Sequence, residues 1–154
     1  MGSKTSRADL STFKPDHGMT DIPTSVSWLD GSLFAAGYAI SESIFLFDVN
    51  RQQPLQSYVR ASKDRAGVAG GGQPNRVRCY QQLIFAGHES KTVKVYDVRK
   101  SLQVREFIAH SDAVTGLSFD PTTYQLITSG HDGNIRVWDI RTFKCINDLK
   151  VIDR

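Results

Sequence analysis

Cysteine is scarce in this 154-residue chain. Cys79 and Cys145 are its two thiols, far apart and in no CxxC pair, which points to reduced thiols in a cytosolic protein rather than a disulfide framework or a metal site. Long hydrophobic runs are missing as well: none approaches the roughly 20 residues of a membrane-spanning helix, and the N-terminus does not read as a cleavable secretory signal. No segment sustains a 3.6-residue apolar period, so helical architecture is not expected. Charge of one sign is also lacking. The formal net charge is +3, and basic residues are scattered among acidic ones, so the contiguous basic stripe that a nucleic acid partner needs is not there. Catalytic signatures are missing too: no G-x-x-x-x-G-K, no metal-ligand spacing and no paired catalytic carboxylates. The glycines at 70–72 form a plain run with no helix after them, a linker rather than a phosphate loop. Neither cofactor nor metal is expected.

What remains is an ordinary globular composition, 40% hydrophobic and 23% charged, on a chain long enough for one core. Residues 1–20 and 60–74 are expected to be flexible, the latter because "RASKDRAGVAGGGQPN" (60–75) is small, glycine-rich and charged. The opening "MGSKTS" fits an N-myristoylation pattern at Gly2, and acylation there is the single route to a membrane that the sequence offers; Met-Gly-Ser is also a common expression-vector remnant. One acyl chain binds membranes only marginally.

The remaining sequence repeats. "LFAAGYAISESIFLFDV" (33–49), "LIFAGHESKTVKVYDV" (83–98) and "LITSGHDGNIRVWDI" (126–140) each lead through an apolar pair to a glycine, at 37, 87 and 130, and end in aromatic-Asp-aliphatic. The repeat-closing aspartates Asp48, Asp97 and Asp139 stand 49 and 42 residues apart, bracketing the ~40–45-residue period of a four-stranded propeller blade. Each unit supplies four short runs rich in β-branched and aromatic residues, such as "AVTGLSF", "QLITSG", "NIRVWDI" and "KCINDL" in the third. Runs like "SIFLFDV" are apolar at nearly every position, as suits a strand covered on both faces. The expected fold is all-β, with blades at about 22–59, 75–108 and 109–150 inside a partial propeller over 21–154. Propellers close with about 4–8 blades. Three leave two sheet faces open, so missing blades from a longer chain or self-association are expected to cover them.

Ser129, His110 and Asp132 are the residues of a hydrolase triad, but Ser129 falls inside a strand and no G-x-S-x-G surrounds it. His131, a second candidate base, lacks a partner arrangement. The residues are better explained as a structural tetrad in which Trp138, Ser129, His110 and Asp132 join in one chain of hydrogen bonds that pins a loop to a turn. Interface candidates are Tyr124 beside the "DPTT" turn, with Lys91, Arg99, Lys100 and Arg141 among the charged turns; Glu89, Asp112 and Lys144 share those turns. Lys94 and Arg136 stand two residues before the closing aromatic and are expected to cover a strand with their aliphatic stems. Trp28 is expected in the core, and Phe13 is read as a packing residue.

The tetrad, the turn aspartate and the closing Trp138-Asp139 resemble the WD-repeat family over about residues 22–150. The third repeat is the most faithful, with "AH" at 109–110 where that family has Gly-His. The second has Tyr96 for the tryptophan and Ala86 in place of Ser129, and the first has Phe47. "DIPTSV" (21–26), a variable loop, "QPNRV" (73–77) and the stretch through "SGHDGNIRVWDIRTFKCI" (129–146) look like late propeller blades of the striatin family. That resemblance implies a non-catalytic, cytoplasmic scaffold whose partners are other proteins, among them subunits of protein phosphatase 2A and kinase complexes. It also implies at least one further blade after Arg154 and several before residue 20. The family's coiled coil, calmodulin-binding and caveolin-binding segments have no counterpart here, and their activities do not carry over. Another WD-repeat adaptor, a ubiquitin-ligase substrate receptor or a peptide reader, is the alternative implied.

Overall fold

A computed structural model describes residues 20–58 and 72–150. Gly2, Phe13, nearly all of the expected flexible N-terminal segment and most of the 60–74 loop lie outside the described residues. The loop's expected end is corrected, because Pro74 already opens a strand.

Among the described residues, twelve strands form three four-stranded antiparallel sheets, each in simple sequence order. The first sheet holds β1 (Pro23–Asp30), β2 (Leu33–Tyr38), β3 (Ile44–Asp48) and β4 (Gln56–Tyr58). The second holds β5 (Pro74–Tyr80), β6 (Leu83–His88), β7 (Thr92–Asp97) and β8 (Leu102–Ile108). The third holds β9 (Val114–Asp120), β10 (Gln125–Gly130), β11 (Asn134–Asp139) and β12 (Lys144–Lys150). Each expected blade thus has its four strands. Among the described residues no helix is long and apolar enough to cross a membrane.

The blades stack through their first strands and sheet faces. Ser25 and Ser27 on β1 accept the N–H groups of Val77 and Cys79 on β5 at 3.0 Å through their hydroxyl oxygens. Between the first two blades, Ala35, Ile44 and Leu46 pack on Val77, Ile84 and Tyr96. Between the second and third, Phe85, Val93 and Val95 pack on Val114, Leu117 and Leu126, and Phe107 meets Trp138 with ring centroids 4.8 Å apart. Both junctions turn on a glycine. A Cβ at Gly37 would come within 2.9 Å of Pro74, and one at Gly87 within 2.5 Å of Val114, so the absent side chain is what admits the next blade's first strand.

Coverage explains the burial pattern. In the middle blade β7 is buried from Thr92 through Tyr96, whereas β10 and β11 of the third leave Ile127 and Ile135 40–41% exposed. The expectation for Trp28 is overturned. It is 59% exposed, stacked on Phe34 at 6.0 Å on the outward side of β1. Strand alternation requires this, since Ser25 and Ser27 face the second blade and therefore Val26 and Trp28 face away.

Candidate functional site

The third blade carries the polar network that the sequence points to, with one member changed. Trp138 donates its indole N–H to Thr128 Oγ1 at 2.9 Å, and His110 Nε2 lies 2.8 Å from the same hydroxyl. His110 Nδ1 lies 2.9 Å from Asp132 Oδ1. An ionised carboxylate only accepts, so Nδ1 carries the proton; with a neutral imidazole, the Thr128 hydroxyl donates to Nε2 and accepts from the indole. Ser129, expected in this role, is not part of the network; its hydroxyl sits 3.1 Å from that of Thr115. The reason is the pleat. Leu126 pairs with Trp138 and Thr128 with Arg136, which places Thr128 on the Trp138 face, and Ser129 on the opposite one.

Asp132 anchors the network from the β10–β11 turn. It also accepts from the Ser111 N–H at 2.9 Å and from the Asn134 N–H at 3.1 Å. Burial works against its charge, but these donors and His110 outweigh it and hold the carboxyl well below the usual carboxylate range. Arg136 contributes more than the aliphatic stem expected of it. Its Nη1 donates to the Ala109 carbonyl at 2.6 Å and reaches Asp132 at 3.4 Å, while Nε bonds Asp148 at 2.9 Å. With Asp148, it carries the network across β11 to β12. His110 and Asp132 are thereby bound to structural partners, and His110 has no exposed surface.

The second blade solves the same problem differently. Its register pairs Ala86 with Lys94 as Thr128 pairs with Arg136, so Ala86 stands at the Thr128 position and His88 at that of Gly130. A Cβ at Gly130 would lie 2.6 Å from the His110 ring. In the second blade His88 grows from that position instead. Its Nδ1–H donates to the Gly72 carbonyl at 2.9 Å, and its buried Nε2 has no partner. Burial pushes its pKa down to about 4.

The repeat-closing aspartates cap the turns between third and fourth strands. Asp48 accepts from the Asn50 N–H, Asp97 from those of Arg99 and Lys100, and Asp139 from that of Arg141, at 2.8–3.2 Å. The interface candidates do not converge. Strand order puts Arg99, Lys100, Tyr124 and Arg141 at one end of the blades and Lys91 at the other. Tyr124 is 44% exposed; Arg141 is paired with Asp139 at 3.1 Å. The Lys91 carbonyl accepts the N–H groups of Ala109 and His110, tying the second blade's turn to the entry of the third.

At the Lys91 end the first strand of each blade, the inner strands β1, β5 and β9, share a feature that the sequence runs do not announce. Each has a bulge near its start that skips one residue, namely Thr24, Asn75 and Thr115. These side chains line one open cleft of about 570 Å³ together with Arg76 and His131. Bulges re-aim side chains in this way. Among the described residues no cluster of His, Cys, Asp and Glu could hold a metal ion.

Comparison with known proteins agrees with this architecture. The family model "WD domain, G-beta repeat" matches residues 101–139. That span runs from β8 through β11, so the sequence unit is offset from the blade by one strand. The chain is 28% identical over 151 residues to a striatin homolog of Dictyostelium discoideum, covering 94% of this chain and 18% of that protein. It is 30% identical to mouse (Mus musculus) striatin over 149 residues, covering 91% and 18%. It therefore spans less than a fifth of the length of these curated relatives. Among solved structures, the RRP9 WD40 repeats superpose with a TM-score of 0.73 at 22% identity, over 87% of this chain and 40% of that one. A chain of a mitotic checkpoint complex gives 0.72 at 22%, over 84% and 37%. Three stacked four-stranded blades, a stapled third repeat and these likenesses identify the chain as a WD-repeat, striatin-like protein, a partial β-propeller.

Proposed function

We propose that this chain is a non-catalytic platform for protein partners, working in the cytoplasm within a striatin-type assembly of phosphatase and kinase subunits. The observation that carries this reading is the state of the chemically capable groups. His110, which is buried, and Asp132, which is half-buried, are the pair a hydrolase would use, and both are committed to holding a loop to a turn. What the chain presents outward is turns at both ends of the blades and wide strand faces, which suits binding rather than turnover. The likeness to striatins supplies the partner class and no more than that.

Purified kinase and adaptor subunits of a striatin-type complex, presented to the immobilised 154-residue chain, test the reading. Saturable binding that weakens on Tyr124→Ala or Lys91→Ala supports it. Failure of every subunit to bind, with the chain folded, contradicts it. The open cleft at the inner-strand ends supports the second reading, a peptide-reading adaptor, for which short peptides rather than folded subunits are the ligands.

A further inference from the structure

We propose that the cleft between the inner-strand ends is a recognition site for a single anionic side chain, carried on a protein segment whose flanking residues are basic. This rests on the platform reading and names the chemistry of one of its surfaces. The cleft draws on all three blades, and its volume is in the range of sites that take several side chains.

Its polar groups divide into committed and available ones. Thr24 donates its hydroxyl within the first blade and to Pro74, and Asn75 donates its amide N–H to the Val114 carbonyl at 2.9 Å, so both serve as staples between neighbouring blades. Arg76 is different. Its Nη1 donates to the Asn75 carbonyl at 3.0 Å, and among the described residues its remaining side-chain donors are unused and no carboxylate pairs with it. Among the described residues it is the one charged residue lining the cleft, and no acid lines it. His131 uses its backbone N–H on Ala113, is exposed, and lines the cleft with Arg76 and with Thr115, whose hydroxyl is paired with that of Ser129. A planar guanidinium with free donors, in the same cleft as an imidazole, is suited to a carboxylate or a phosphate.

The surroundings restrict the ligand further. Glu42 and Glu89, on the turns after β2 and β6, and Asp112, before β9, are exposed at the same end of the blades. Among the described residues these three acids outnumber Lys91 and Lys150 at that end and disfavour a run of negative charge. A segment with one anionic residue between basic neighbours satisfies both the cleft and this rim.

The test uses the whole chain and fluorescence anisotropy of four labelled peptides. Three differ only at a central phosphoserine, glutamate or serine between arginine pairs; the fourth has phosphoserine between glutamate pairs. The phosphoserine or the glutamate peptide should bind about tenfold or more tighter than the serine peptide. Arg76→Gln should abolish that preference, Arg99→Gln at the opposite end should leave it intact, and glutamate flanks should weaken binding. Tighter phosphoserine assigns a phosphorylated segment; equal or tighter glutamate assigns a carboxylate. His131→Ala, at an exposed residue, gives the same test if Arg76→Gln fails to fold. Equal binding of the serine peptide, or a preference unchanged in both cleft variants, overturns the proposal. Peptide failure with retained binding of complex subunits defeats the cleft alone; the reverse pattern defeats the assembly reading alone.

Discussion

Trp138 and Thr128 are joined by an indole N–H to hydroxyl bond of 2.9 Å, and the same oxygen meets His110. One threonine thus satisfies two buried ring nitrogens from different segments. Thr128→Val keeps the side-chain shape and removes both bonds. It should lower stability by about 2–4 kcal/mol, because two buried groups lose their partner. Ser129→Ala, one residue along and outside the network, should cost under about 1 kcal/mol. Urea midpoints at unchanged m-value measure both. Equal costs would mean that the register of β10 is wrong.

That contrast also shows where the sequence was readable. Strand count, strand limits and turn aspartates were legible because period-2 runs and Asp turns are local signals. The tetrad's hydroxyl was not. The repeats align on Gly87 and Gly130, whereas strand pairing aligns Gly87 with Ser129, and a slip of one residue exchanges the two faces of a strand. Counting back ten residues from Trp138 and from Tyr96 reaches Thr128 and Ala86, a signal that was available. Exposure of Trp28 had no such signal, because a strand's alternation does not say which face a neighbour covers. The cleft depends on three bulges, and a bulge leaves little trace in a single sequence.

Blade stacking depends on a missing Cβ. Gly87→Ala would place a methyl 2.5 Å from the buried Val114 side chain, so the third blade must shift. A loss of about 1–3 kcal/mol is expected, as for overpacked cores. Gly31→Ala meets no atom within 4 Å and carries only the backbone penalty of its positive φ, about 1 kcal/mol. Thermal unfolding of the two variants checks the ranking.

Stability should fall on mild acidification because of His88. Its folded pKa lies at about 4 against an ordinary 6.5, so the unfolded chain takes up the proton first. The contribution of this neutral imidazole is fully present above 6.5 and is lost as pH falls towards 4. It amounts to about 3 kcal/mol over the full window. His88→Gln should flatten that part of the urea-stability profile. Asp132 acts in a lower range, since its depressed pKa keeps its contribution until pH drops below about 4. A wild-type profile that is flat between 7 and 4 contradicts the burial of His88.

Val26 and Trp28 on the first blade and Ile127, Ile135 and Leu149 on the third form open apolar faces, 40–62% exposed. By position they correspond to the surfaces that are covered within the two observed blade junctions. The most direct test is light scattering coupled to size-exclusion chromatography, across a concentration series, on the wild-type chain and on a Trp28→Lys, Ile135→Lys double variant. Wild-type mass should rise above the monomer with concentration, and the variant should stay monomeric and folded. A wild-type chain that stays monomeric at every concentration, with these faces in water, would contradict their assignment as blade-stacking surfaces.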